Sequence, residues 1–499
     1  MKKLFWMMSC GVSVMGLSAP FCAAKAQTSG SDRPAMPEPA GPQGANQAER
    51  LMDDIVVTAR KKSAEEGVQT VPLAVTAFSG AQLEARQVHN LSDLTVATPN
   101  VALDGAGNFK GVANFTIRGL GINSSIPSID PTVGVFVDGV YLGVNYGVVL
   151  DTFDLEDVEV LRGPQGVLFG KNVTGGAVLI KTRAPGDSFQ VRLRANAETG
   201  PEYGLAGSVE APLIDGTLFG KLTGYYKKDE GFFRNDAKGG RKVGEDETYF
   251  IRPSLRLVPS DDINLVVRLE AGKTKGDGLL GQNSGRTQDF DVAFDQEGFT
   301  NLKWYQATAE LTWRLADGTL TNTFGWRSVK QGQLSDIDAT PADLFTAEIY
   351  LDQHQWSNEL RYARPIGTLL DLTTGLFYFQ QDILYRERRR LAGGAVSGTL
   401  GGDQDQNTVG VFAAGDVHLT STFDVNLGIR YTREHKSAQI ATLNLAASLC
   451  NFDARSCNFD FDNARTWSSL MPLVGFQWQP NTATNLYGHW TKGFRSGGY

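Results

Sequence analysis

The sequence predicts a mainly antiparallel β fold of the membrane-barrel type, preceded by a smaller α+β domain. Three observations carry this. Glycine is abundant, 56 of 499 residues, which suits turns and strands better than helices. Beyond the first 20 positions no apolar run reaches 18 residues, which excludes a helical membrane bundle but leaves a β-barrel open. From about Phe189 onward, long alternating segments are joined by tight turns on one side and long polar loops on the other. A hydrophobic content of 41% with 20% charged residues is compatible with a folded chain, and a formal net charge of −8 argues against nucleic acid as a partner.

The amino terminus sets the compartment. Lys2 and Lys3 precede the apolar run Leu4 to Ala19, and Ala24-Lys25-Ala26 offers the small residues a signal peptidase needs. Residues 1–26 therefore read as an export signal rather than a membrane anchor, the run being barely long enough to cross a bilayer. With this charge balance, binding to bare anionic lipid by overall charge is poor. Cleavage leaves Cys450 and Cys457, seven apart in a polar stretch of a chain that has left the reducing cytosol. A local disulfide is expected; zinc is not, since no His or third Cys lies nearby.

Residues 27–52 are rich in proline and glycine and almost free of core-forming side chains, so they are expected to be a disordered tether. Fully stretched, the 24 residues from Gln27 to Arg50 could span about 80 Å. Then come Asp53, Asp54, Ile55, Val56, Val57, Thr58 and Ala59, with four consecutive β-branched residues, followed by Arg60-Lys61-Lys62. This reads as a strand in search of a sheet. It is either the first strand of the next domain or a segment that adds to another protein's exposed edge.

Residues 64–183 read as a compact α+β domain. Val71 to Phe78 is expected as a strand, Ser79 as the N-cap of a helix through Val88, and Leu91 to Ala97 as a second short helix before Pro99. Val133, Val135 and Val137 alternate toward Asp138-Gly139, a type I′ hairpin signal, and Val140-Tyr141-Leu142 returns.

From Phe189 the period is two. Tyr305, Ala307, Ala309, Leu311, Trp313 and Leu315 oppose Gln306, Thr308, Glu310, Thr312 and Arg314, and similar segments recur around residues 263–270, 355–362 and 425–432. Turns are expected at Asp215-Gly216, Ser260 to Asp262, Asp317-Gly318, Pro365 to Gly367, Thr420 to Thr422 and Pro480 to Thr482. Long loops are expected around 229–246, 275–300, 388–407 and 436–464. A greasy outer face and a polar lumen follow. Tyr225, Tyr226, Tyr249, Phe250, Trp313, Trp326, Tyr431, Trp478 and Trp490 are candidates for the interfacial aromatic girdles. Roughly thirteen strands fit before the chain stops without an evident closing strand, which suggests truncation, because an open edge in lipid leaves backbone groups unpaired.

With Asp53 to Ala59 followed by VPLAVTAFSGAQLEARQVHNLSDLTVATPNV (71–101), FTIRGLG (115–121), PTVGVFVDGVYLG (131–143) and LEDVEVLRGPQGVLFGKNVTGGAVLIKTRAP (155–185), the chain resembles the TonB-dependent outer-membrane receptors. The resemblance implies an all-β membrane barrel of 22 strands, of which roughly 13 are present over residues 189–499, with the α+β domain as a plug inside the lumen. LYGHWTKGFRSGGY (486–499) also looks like a segment such receptors carry well before their carboxyl terminus. It implies no covalent chemistry and no cofactor. It implies active import of a scarce ligand, a ferric siderophore by default, with cobalamin, an oligosaccharide or a small aromatic as the alternatives. The C-terminal domain of TonB, energised by an inner-membrane proton-motive-force motor, would pull on the plug of a monomeric receptor in the bacterial outer membrane.

On this resemblance residues 53–60 match the TonB box, which favours strand addition. Arg118 and Arg162 match plug arginines that pair with barrel-wall glutamates, and Glu359 is the candidate partner. Residues 27–52 are too short and polar for a signalling domain, so transport without signalling is expected.

Other chemistry is weakly signalled. GPQGVLFGKN fails as a phosphate loop at Gln165 and Asn172. The five scattered histidines do not suggest haem, and Asp453, Asp460 and Asp462 read as a solvated cluster rather than a calcium site. A passive porin is disfavoured by the plug, and an outer-membrane enzyme by the lack of a nucleophile constellation.

Overall fold

The computed structural model describes residues 56–62, 66–106, 109–122, 126–148, 151–283, 290–441 and 459–499. The export signal, the tether, Asp53 to Ile55, and Cys450 and Cys457 lie outside the described residues.

Thirteen strands form one antiparallel sheet in which each pairs with its neighbours in chain order. They are Gln190–Glu198, Glu202–Ile214, Leu218–Asp229, Asp246–Ser260, Ile263–Gly276, Phe299–Leu315, Gly318–Asp336, Phe345–Ile366, Leu370–Leu391, Val396–His418, Phe423–Ala441, Phe461–Asn481 and Thr484–Thr491. The period of two does what it predicts. Thr300, Leu302, Trp304 and Thr308 are buried inside, whereas Tyr305, Trp313 and Leu315 are exposed on the outside. Leu255, Leu269, Phe324, Trp356, Leu360, Val411, Leu427, Ile429 and Val474 continue that outer surface. An apolar exterior of this extent is suited to lipid, where the ladder already satisfies the backbone groups.

All six expected turns fall between consecutive strands of this sheet. One expected long loop does not exist. Around 388–407 the strands Leu370–Leu391 and Val396–His418 continue as a tall hairpin, turning at Gly393 and Gly394 with φ of 69° and 85°. Polar side chains do not stop a ladder whose backbone bonds are independent of them. Two of the expected girdle aromatics also move. Tyr225 and Phe250 are buried in the lumen and stack at 5.2 Å, because alternation sends them to the opposite face from Tyr226 and Tyr249.

Within the lumen sits a five-stranded mixed sheet in the order Val75–Ser79, Leu155–Arg162, Gly176–Thr182, Val133–Val137, Val140–Tyr141. Its first strand is shorter than expected, starting after Pro72, which has no N–H to donate. Ser79 caps the helix Gly80–Ala85 in a capping box with Gln82. That helix ends before Val88 because Gln87 turns left-handed at φ 55°. The expected second helix forms as a 3-10 turn, Leu91–Asp93, running into Leu94–Ala97. At the hairpin, Asp138 and Gly139 have φ of 49° and 79°, both positive as a type I′ turn demands. Phe78, Leu83, Leu94, Leu103, Phe115, Ile117, Val135, Val158 and Val178 form the core under this sheet.

Candidate functional site: an anchored strand and a clamped plug

Val56–Val57 is a strand, but its partner is internal: it pairs antiparallel with Glu66–Gly67. Past Val57 the chain leaves the ladder and meets one carboxylate. Thr58 donates its N–H and its hydroxyl to Glu159 Oε1, both at 2.7 Å, and Ala59 donates its N–H to Oε2 at 3.1 Å. Glu159, fully buried in the strand Leu155–Arg162, thus stands in for a missing neighbouring strand. Burial pushes its carboxyl pKa up, and the bonds from Thr58 and Ala59 pull it back. Val57 and Ala59 are buried against the plug alongside Val71, Leu161 and Phe169.

The next three residues reach the barrel wall. Lys61, at φ 53°, sends its ammonium 2.7 Å from Glu359 Oε1 and 3.0 Å from the Leu168 carbonyl, over the Phe169 ring. Arg60 joins Glu66 at 2.9 Å and also Asp416; Lys62 bridges Glu66 at 2.8 Å and Asp416 at 2.5 Å. Burial holds the Lys61 ammonium down to about 8, with Glu359 opposing that fall. In the sequence Arg60 to Lys62 were only a basic flank. Three cations after a strand, set against Glu359 and Asp416 on polar faces of wall strands, are the signal that could have found this contact.

The structure gives Glu359 a different partner from the arginines expected for it. Its carboxylate is taken by Lys61 and by Arg361 at 3.3 Å. Arg162 instead donates to the Thr76 hydroxyl, and Arg118, left-handed at φ 51°, shares with it a cleft whose far wall is Tyr487 to Thr491. The reason is local. The bend at Lys61 delivers a cation to Glu359 first, and the two arginines face a different strand.

Buried charges also clamp the plug elsewhere. Asp154 is held by Lys221 and by the Thr223 hydroxyl at 2.8 Å, and Asp151 by Arg194. Lys171 meets Glu434 at 3.1 Å, while Lys436 links Glu434 at 3.4 Å to Asp130 of the plug. Gln355 accepts from Gly143 N at 2.9 Å and donates to the Tyr141 carbonyl at 2.7 Å. Such a plug resists sliding yet can be displaced without breaking covalent bonds. Among the described residues no group of three or more His, Cys, Asp or Glu is arranged to hold a metal ion.

Asp157, beside Glu159 on the same strand, is raised from 3.8 to about 7, first by burial and then by the Glu159 charge. The folded state therefore binds more protons than the unfolded state between those values, and plug stability should fall as pH rises through that window. Asp157→Asn should flatten this dependence. Amide exchange of Val158 and Val160 in the whole protein, corrected for intrinsic rate, measures it.

Residues 67–177 match the family described as the TonB-dependent Receptor Plug Domain, and residues 214–499 match the TonB dependent receptor-like, beta-barrel family. The chain is 25% identical over 397 residues to the pesticin receptor of Yersinia pestis, covering 77% of this chain and 56% of that protein. It is 27% identical over 171 residues to the ferrioxamine B receptor of Salmonella typhimurium (strain SL1344), covering 33% of this chain and 23% of that one. The crystal structure of the ferric yersiniabactin uptake receptor FyuA from Yersinia pestis shares the fold, with a TM-score of 0.73 at 18% identity over 84% of this chain and 64% of that one. The chain thus spans a little over half the length of the first of these relatives. A thirteen-stranded greasy-walled sheet around a charge-clamped α+β plug, matched over both parts, makes this chain a member of the TonB-dependent receptors, a family of outer-membrane β-barrel receptors.

Proposed function

We propose that the receptor imports a ferric siderophore across the bacterial outer membrane, using work delivered by TonB through residues 53–60. The observation that carries this reading is the anchored strand. A segment whose Thr58 and Ala59 backbone donors are met by a single carboxylate, and whose cationic tail grips the wall, can exchange those bonds for a partner's strand edge and transmit a pull to the plug. Export by residues 1–26, a monomeric state, and a disulfide between Cys450 and Cys457 belong to the same proposal. No step needs a catalytic residue or a resident cofactor.

The siderophore assignment rests on the likeness to a ferrioxamine B receptor, whose named ligand is a ferric chelate. The test is energised uptake by cells carrying the receptor as their sole importer. Radioactive iron offered as hydroxamate, catecholate or phenolate chelates should accumulate for at least one class and only with TonB present. Accumulation of cyanocobalamin, an oligosaccharide or a small aromatic instead, with no iron chelate taken up, overturns the ligand class.

A further inference from the structure

The outward face of the barrel carries a row of like charges. Lys273 pairs in register with Lys303, and Lys303 with Lys330, so three lysines stand side by side on consecutive strands. Their neighbours in sequence, Thr274, Leu302, Trp304, Val329 and Gln331, fill the inside, which sends the lysines out. Lys303 and Lys330 are exposed and Lys273 is half-buried. Like charges directly opposite one another weaken a sheet unless a counter-charge meets them. The protein supplies a partial one, Asp352, at 2.9 Å from Lys330. Among the described residues Lys273 and Lys303 have no ion-pair partner, and nearby Lys275 is already taken by Glu247 at 3.1 Å.

Height decides what could meet them. Trp313 lies by the short turn at 316–317, and Lys303 is about ten residues further from that turn on the same strand, roughly 33 Å of chain and about 25 Å of height at a tilt near 40°. The apolar band of an outer-membrane barrel is about 25 Å tall. Between the two levels the face is apolar, with Tyr305 just below the row and Trp326 below that, both exposed. The row therefore stands where hydrocarbon gives way to headgroups.

The sign also reverses around the rim. Asp352, opposite Lys330, and then Asp382 and Asp405, opposite each other on the next two strands, place carboxylates in the adjoining sector. Screening limits each charge to about 8 Å at physiological ionic strength, so the lysines act locally despite the chain's net negative charge.

We propose that Lys273, Lys303 and Lys330 form a binding site for the phosphate groups of an anionic lipid of the outer leaflet, whose acyl chains lie against Tyr305, Ala307 and Trp326. Two strand spacings, about 10 Å, separate the outer lysines, which leaves room for more than one phosphate.

Native mass spectrometry of the detergent-purified receptor tests this with bisphosphorylated lipid A, its dephosphorylated form, and inorganic phosphate as a competitor. The parent should retain the bisphosphorylated lipid. K273Q/K303Q should weaken it roughly 25-fold, about fivefold per lysine, while D382N/D405N should not weaken it. Unchanged heat-modifiable mobility on gels separates loss of the site from loss of the barrel. If the glutamine variant does not fold, raising salt on the parent gives the same reading, and affinity indifferent to salt overturns the site. Equal binding of the dephosphorylated lipid, parental affinity in the double variant, or displacement by inorganic phosphate at the lipid's own concentration would each reject a lipid-phosphate site.

Discussion

Proline at position 56 should abolish energised uptake while ligand binding stays at the parental level. Val56 belongs to the two-residue strand that now pairs with Glu66–Gly67, and any partner strand must use the same backbone groups. Proline removes the N–H and fixes φ, so the added ladder is interrupted at its centre rather than weakened at its edge. The connections that follow Asp229 and Gly276 leave the opposite end of the wall strands from the short turns, and the ligand binding proposed for that end should not sense the change. Glu159→Ala should act in the opposite direction. It removes the acceptor of two backbone donors and one hydroxyl, and at about 1.5 kcal/mol for each backbone bond to a charged group the undocked segment becomes roughly a hundredfold more populated. Amide exchange at Thr58 and Ala59 should accelerate to that extent, and affinity for the TonB C-terminal domain should rise. Normal transport by the proline variant removes Val56 from the coupling strand; an unchanged affinity in the alanine variant means that Glu159 does not compete with the partner.

What could be read from the sequence and what could not divide along a physical line. The alternation from Tyr305 to Leu315, the six short turns and the Asp138-Gly139 hairpin are local signals, and the structure places all of them as read. Periodicity says which neighbours share a face but not which face is inside, so Tyr225 and Phe250 were grouped with residues on the far side of the same strands. Composition marks 388–407 as polar, yet the ladder there runs on because pairing depends on backbone rather than side chain. Least legible was the partner of Glu359. Lys61 lies 298 positions away in the chain, and no local rule connects the two.

That pair leads to the second large effect. Removing the Glu359 carboxylate alone should loosen the plug by about 3–5 kcal/mol, the usual cost of stranding a buried charge, whereas removing Lys61 as well should cost far less. Both side chains are nearly buried, at 11% and 12% exposed, so solvent screens them little. Lys61 is already held down to about 8 by burial, and Glu359 is the strongest influence keeping it charged. Without that carboxylate the buried ammonium faces Arg361 and Arg430 with only the Leu168 carbonyl and the Phe169 ring to offset them, and it must lose its proton or leave the wall. A double-mutant cycle on Lys61 and Glu359, read by urea extraction of the plug from the intact barrel, should therefore show strong coupling. The matching cycle on Arg162 and Glu359 should show almost none, since Arg162 is engaged by Thr76. A pull applied at Val56 reaches Lys61 five residues later, before it reaches any of the plug's other clamps on the wall save the Arg60–Asp416 contact. If the single Glu359→Ala variant extracts no more easily than the double, the pair bears no load, and the first resistance to that pull lies in Asp416.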